Sequence, residues 1–269
     1  MIAVVGLGLM GGSLARGLRR LDAALEVVGI DSDPHTLRKA VESGAVTAAS
    51  DDLALCAGAE VVFLAVPVSA MRGLLPQLPS TSLVTDLGST KAEVVAWAAA
   101  SGVEFVGGHP MCGRETSGFD ASSADLYEGA PWVLTGRNPR LEEIVAGLGA
   151  HPVFMEPAEH DRLVAGISHT AFVLSAAYLL AVTGSRDWQA MRPLAASGFR
   201  DMTRLAGGDP AMYSAIAATN AENIVGWLKE VEGALAKIRR HLEAGDTRVA
   251  ELFEDAREAR RRWLAEEAR

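Results

Sequence analysis

Ile2-Ala3-Val4-Val5 is an apolar run that passes directly into Gly6-Leu7-Gly8-Leu9-Met10-Gly11 and then into a helical stretch over residues 13–20. Strand, glycine turn and helix in that order constrain the fold more than any other feature of the chain. The first glycine allows the tight turn, the second lets the backbone approach a pyrophosphate, and the third lets helix pack on strand. The helix N-terminus adds partial positive charge. The pattern predicts the first βαβ unit of a doubly wound, mostly parallel sheet, with a dinucleotide carried on residues 6–11. A second strand, residues 26–30, ends in Asp31, 20 residues beyond Gly11, where a ribose diol would be held. Asp31, with Asp33 nearby, would repel a 2′-phosphate, so NAD is expected rather than NADP. The plainer alternative is a tight βα turn followed by an ordinary surface aspartate.

The alternation continues. Pro34 opens a helix that Gly44 stops. Residues 60–66 form a continuous apolar strand, as a parallel sheet covered on both faces requires, and Pro67 ends it. Ala65, Val66 and Pro67 then lie at the same sheet edge as the glycine turn, either to support the cofactor or simply to end a strand. Residues 82–86 are the next strand, followed by Leu87-Gly88-Ser89-Thr90-Lys91 and a helix through Ala100. Thr90 and Glu93 have capping-box spacing, which would leave the Ser89 hydroxyl free; with Ser89 as the cap, that hydroxyl is structural. Residues 103–106 read as a short buried strand. Gly107-Gly108 then permit a sharp turn that sends His109 out at the carboxyl edge of the sheet, and Pro110 limits its backbone. A neutral imidazole there can accept a proton near pH 7; the bland reading is a histidine that hydrogen-bonds a loop. Residues 132–135 and 153–155, with a helix over 139–149 between them, close the alternation near Glu156. That boundary divides the chain into a nucleotide-binding part, 1–156, and an all-helical part, 157–269, with helical stretches over 157–183, 187–205, 210–241 and 246–269.

The formal net charge of −9 argues against a nucleic-acid partner. Cys56 and Cys112 make no metal or redox spacing, so no metal is expected, and their sparse use together with an opening strand that has no charged leader points to the cytoplasm. Residues 163–183 contain no Asp, Glu, Lys or Arg and are long enough to cross a membrane. They include Ser168, His169, Thr170, Ser175 and Tyr178, however, and follow directly on Glu159, His160, Asp161 and Arg162. No membrane association is expected. The run suits a helix buried in the domain or at a subunit interface, and a homodimer through the helical part is the expectation.

Four stretches carry a resemblance to the prephenate dehydrogenase family, which includes arogenate and cyclohexadienyl dehydrogenases. They are Gly6-x-Gly8-x-x-Gly11, Thr85-Asp86-x-Gly88-Ser89-x-Lys91, Gly108-His109-Pro110-Met111-x-Gly113-x-Glu115-x-Ser117-Gly118, and Gly198-Phe199-x-Asp201-x-Thr203-Arg204-x-Ala206. The resemblance implies a Rossmann-type NAD domain followed by an all-α dimerisation domain. It also implies oxidative decarboxylation of a cyclohexadienol, prephenate or arogenate, with hydride transfer to nicotinamide. His109 would accept the proton of the ring hydroxyl, and Ser89 would hold that hydroxyl or orient the imidazole. Arg204 would grip the ring carboxylate, Glu115 would order the loop, and Tyr213 stands where the family often has an aromatic residue. His169 matches the start of a segment that often continues Leu-Pro-His; Thr170-Ala171-Phe172 depart from it, and the second histidine is missing. Two rivals are weaker. A β-hydroxyacid dehydrogenase needs a catalytic interdomain lysine, which neither Lys229 nor Lys237 resembles, and a non-catalytic NAD sensor has no need of His109, Ser89 and Arg204 together.

Overall fold

The computed structural model describes residues 1–114 and 116–267. Contacts divide the chain into two compact units, Met1–Ala221 and Glu222–Arg269. The first is built on β1 (Ile2–Val5), whose four residues are all buried, Ile2 and Val4 in one core and Ala3 and Val5 in another. Burial on both faces is why the run is apolar throughout instead of alternating. Helix α1 (Leu9–Leu21) returns the chain to β2 (Val27–Ile30), and α2 (Pro34–Glu42) leads to a short strand β3 (Ala48–Ser50). The chain then crosses to β4 (Val61–Leu64), α3 (Val68–Leu74), β5 (Leu83–Asp86), α4 (Ala92–Ser101) and β6 (Glu104–Val106). The six strands pair in the order β3-β2-β1-β4-β5-β6, parallel throughout. The strand order reverses between β1 and β4, the crevice where such sheets bind ligands.

His109 does not leave the sheet in a loop, as the glycine pair suggests. It is the middle residue of a strand, β7 (Gly108–Pro110), which pairs antiparallel with β8 (Pro131–Leu134). After α5 (Pro139–Gly147), β9 (His151–Phe154) pairs parallel with β8. Residues 132–135 and 153–155 therefore belong to a separate three-stranded sheet and do not extend the parallel one. Gly107 and Gly108 serve close approach: a Cβ on Gly108 would lie 2.5 Å from the main-chain oxygen of Asp86.

The helical run 157–183 is α6 (Pro157–Val164), a π turn (Ala165–His169) and α7 (Thr170–Thr183). Those 27 residues are long and apolar enough to cross a membrane by composition; here the first turns pack against α4. Residues 187–205 are broken into α8 (Trp188–Met191), α9 (Ser197–Thr203) and one-turn 3-10 segments, because Pro193 and the extended Ala195 and Ala196 interrupt them. The stretch 210–241 is likewise two helices, α10 (Pro210–Thr219) and α11 (Ala221–Glu243), parted at Asn220, whose ψ of 27° and φ of −137° leave the helical range. The second unit comprises most of α11 and α12 (Val249–Glu267), joined through Gly245 at φ 61°. Within it His241 and Arg248 both bond the Asp246 carboxylate, which they hold well below its usual range.

Two fully buried charges sit under β7. Lys91 is ion-paired with Asp86 and donates to the Gly108 carbonyl at 2.7 Å; Asp86 accepts from the N–H groups of Gly88 (2.8 Å) and Gly108 (3.0 Å). Burial pushes the Asp86 carboxyl up and the Lys91 ammonium down, and each charge is kept by the other. Removing one partner strands the other in a dry interior. Asp86→Ala is therefore expected to lower the unfolding free energy in urea by about 3–5 kcal/mol, and the double change Asp86→Leu/Lys91→Met to recover part of that loss.

Candidate active site

The glycine turn is held tight by atoms that no side chain could displace. Gly6 adopts φ 92°, and a Cβ there would stand 2.5 Å from the Ala65 carbonyl oxygen; one on Gly11 would stand 1.8 Å from the Gly6 carbonyl. Gly8, by contrast, faces open space, where a Cβ would meet nothing within 4 Å. Gly8, which precedes α1, has no side chain with which to cap that helix, so the first N–H groups can face a ligand. The contacts bring Ala65 and Val66 against Gly6 and Gly11, with Pro67 next, exposed, at the start of α3. From the other side Tyr127, fully buried, donates to the Met10 carbonyl at 2.6 Å, and Phe119 packs on Gly12. Asp31 accepts from the N–H groups of Leu7 (2.7 Å) and Asp33 (2.9 Å). A carboxylate has lone pairs to spare beyond these, so the acid tied to the glycine turn can also receive ribose hydroxyls. Asp33 is the N-cap of α2, bonded to His35 and Thr36.

The second cluster begins at His109. Its Nδ1 lies 2.8 Å from Nε2 of His160, and His160 Nδ1 lies 2.7 Å from Oδ1 of Asp161. The Asp161 carboxylate in turn accepts the first N–H groups of α4, Lys91 at 2.7 Å and Ala92 at 2.9 Å. This is a correction to the expected capping box: the cap of α4 is neither Thr90 nor Ser89 but an aspartate from α6. Thr90 instead shares a hydrogen bond with Thr219 of α10, and Ser89 stays half-buried. Asn220 donates its amide to the main-chain oxygen of Asp161 (2.8 Å) and faces His169 Nδ1 at 3.0 Å. A carbonyl oxygen can only accept, so the atom is the amide nitrogen and His169 Nδ1 is its acceptor. His169 therefore carries its hydrogen on Nε2, a buried atom near the Ser89 main chain that makes no well-formed hydrogen bond among the described residues.

Burial holds the His109 pKa well below 6.5, with His160, Lys91 and His169 acting in the same direction. Burial also lowers His169, to about 4, in spite of the Asp161 carboxylate and the Ser89 main chain, which favour its charged form. At pH 7 both rings are neutral, one able to accept a proton and the other to donate a hydrogen bond. Cys112, two residues beyond Pro110, has its thiol pushed up to about 11 by burial and stays protonated.

Arg204 lies exposed at the start of the turn Arg204–Gly207, and that turn is tied on both sides. Ser175 of α7 bonds Met202 O and Ala206 N, while Tyr213 of α10 donates to Leu205 O at 2.9 Å. The Tyr213 ring stacks on Phe172, centroids 4.0 Å apart and 8° from parallel, and Phe172 stands 6.2 Å from His169. One aromatic pair thus links the arginine's turn to the second histidine. Glu115 lies outside the described residues. His160, Asp161 and Asn220 were not singled out by sequence reasoning; their signal was faint, a polar pair at the start of an apolar helix and an asparagine inside a helical pattern.

Residues 14–151 match the nucleotide-binding domain of prephenate dehydrogenases, and residues 156–257 match the prephenate dehydrogenase dimerization domain. The chain is 32% identical to a prephenate dehydrogenase of Lactococcus lactis subsp. cremoris over 96% of its own length and 76% of that protein's. Among solved structures it is similar to the arogenate dehydrogenase of Synechocystis (32% identity, TM-score 0.81, 97% of this chain and 99% of that one). It is also similar to the prephenate dehydrogenase of Aquifex aeolicus in complex with hydroxyphenyl propionate and NAD+ (27% identity, TM-score 0.90, 97% of each chain).

The two neutral histidines make stability depend on pH. An unfolded histidine protonates near pH 6.5, whereas His109 and His169 resist protonation in the fold, so the unfolded state binds more protons below that value. The stability present above about pH 6.5 is lost as pH falls toward about 4, where His169 titrates in the folded protein. Scanning calorimetry between pH 7.5 and 4 is expected to show a falling Tm, with a shallower slope for His169→Gln.

Proposed function

The chain belongs to the prephenate dehydrogenase family, and on that premise we propose that its substrate is prephenate and that His109 is the base. It is an NAD-dependent oxidoreductase. Bound NAD supplies the hydride acceptor. The turn at residues 6–11 and the N-terminus of α1 would hold the pyrophosphate, and Asp31 the adenosine ribose, where a 2′-phosphate would meet its charge. The lone pair of His109 takes the proton of the ring 4-hydroxyl as the hydride leaves the same carbon. The ring carboxylate departs as carbon dioxide and the ring becomes aromatic, so the step does not run back. Ser89 orients that hydroxyl or the imidazole, and Arg204 grips the ring carboxylate, a planar two-oxygen group that suits guanidinium. Glu115 is assigned to the loop that follows His109.

One observation carries the choice of prephenate over arogenate, the polarity of His169. Its Nδ1 is occupied by Asn220, and its depressed pKa keeps it neutral, so it offers an N–H. An N–H suits the oxygens of a keto-acid side chain, whereas the ammonium of arogenate needs an acceptor, and an unpaired buried ammonium costs far more than an unpaired ketone. Phe172, stacked on Tyr213, adds an apolar wall where the family often has a histidine. The helical part carries the family's dimerization domain, and exposed Ile167, Leu180 and Leu194 supply apolar surface for a second copy.

Steady-state kinetics test the reading. We expect kcat/KM to favour prephenate over arogenate and NAD over NADP; a tenfold preference for arogenate would point to an acid near the side chain and overturn the assignment of His169. His109→Asn should lower kcat by about 10²- to 10⁴-fold with little change in KM, and turnover at the wild-type rate would remove His109 from the chemistry. Light scattering at micromolar concentration should report a dimer.

A further inference from the structure

A base needs its lone pair on the correct nitrogen, and in an imidazole that is decided by whatever holds the other one. For His109 the accounting starts three groups away. The Asp161 carboxylate receives the main-chain N–H of Lys91 on Oδ1 and that of Ala92 on Oδ2. Main-chain N–H groups only donate, so both oxygens are acceptors, and the group facing Oδ1 from the third side, Nδ1 of His160, must also donate. Where His160 carries a single ring hydrogen, that hydrogen is on Nδ1 and its Nε2 has the lone pair. Nε2 lies 2.8 Å from Nδ1 of His109, and one hydrogen must lie between them. It belongs to His109. That leaves Nε2 of His109 as the nitrogen with the free pair.

Resting on the reading of His109 as the base, we propose that Asp161 and His160 position it: together they hold His109 in its Nδ1–H form, and they stabilise the imidazolium it becomes. When Nε2 takes up the substrate's proton, His109 carries hydrogen on both nitrogens. The Nδ1–H still points at the His160 lone pair, and the Asp161 charge lies behind that ring. The arrangement does for an imidazole base what the aspartate of a Ser-His-Asp triad does for its histidine, with a second imidazole interposed. The surroundings make such support necessary. Burial, Lys91 from the turn before α4 and His169 from the π turn all disfavour positive charge on His109, as would a second proton on His160. Asp86 from the end of β5 is already committed to Lys91, which leaves Asp161, through His160, as the carboxylate aligned with the charge that develops. His160 is fully buried and Asp161 is 1% exposed, so water does not compete for either bond.

The test reads both tautomer and rate. Nitrogen-15 labelling of the six histidines and long-range 15N–1H correlation near pH 8 distinguish a ring protonated on Nδ1 from one protonated on Nε2, without substrate or NAD. The wild type should show His109 as Nδ1–H, and His160→Phe, which fills the space but accepts nothing, should release it to the Nε2–H form that unrestrained histidine favours. With prephenate and NAD, His160→Phe should lose about 10²- to 10³-fold in kcat with KM held within about threefold. His160→Gln, whose amide oxygen can still accept from His109 Nδ1, should recover at least tenfold of that loss. An Nε2–H tautomer in the wild type, or wild-type kcat in His160→Phe, overturns the proposal. If His160→Phe does not fold, the wild-type tautomer and the kcat of His160→Gln decide it. The spectrum also separates the two readings: an Nδ1–H His109 whose Asn variant retains full activity would defeat the base assignment while leaving the hydrogen-bond chain intact.

Discussion

The Asp86–Lys91 pair is the interaction on which the placement of the histidine strand depends. Both charges are fully buried, and in isolation each would be costly in a dry interior. What they obtain in exchange is control of a single residue, Gly108, whose N–H goes to Asp86 and whose carbonyl receives Lys91. Gly108 is the first residue of β7, and His109 follows it. An apolar pair of equal volume could fill the space, but it could not seize both main-chain groups of a strand that leaves one sheet and enters another. Lys91 also works from its other end, because its own amide N–H reaches Asp161. One residue therefore connects the end of β5, the start of β7 and the second turn of α6, the three segments between which the titratable cluster is assembled.

The nucleotide half was legible because its signals are local. A strand buried on both faces is an apolar run, a glycine turn is three residues at fixed offsets, and Asp31 follows at a fixed distance; nothing from farther along the chain is needed to specify them. The histidine half was less so. His109 was visible as a candidate, but the strand it occupies exists only because residues 131–134 arrive to pair with it, and no short-range periodicity encodes that meeting. The cap of α4 shows the same limit. Thr90 and Glu93 satisfy the local rule, yet the carboxylate that meets the helix N-terminus comes from 70 residues downstream, where it reads as one more charge in a polar stretch. Asn220 was concealed within a helical pattern and acts as a break in it. The residues that reasoning from sequence missed are those whose partners are tertiary.

The π turn at Ala165–His169 has a place in this arrangement. Its defining bond, from Thr170 N–H to Ala165 O, inserts an extra residue per turn between the segment with His160 and Asp161 and the segment with Thr170 and Phe172. Such turns recur where a helix must aim side chains that regular geometry would misdirect. Here it lies between two histidines that both act on the same cluster, one through His109 and the other through Asn220.

Asp161 serves two masters, the first turn of α4 and the ring of His160, and neither service can be withdrawn alone. In a cell, a chain that lost this carboxylate would expose a frayed helix to chaperones and proteases before its slower turnover could matter. Inheritance at this position would therefore be judged by how much protein persists. A folded but idle form of the enzyme, available for drift toward another task, is harder to reach by way of Asp161 than by way of His109 itself.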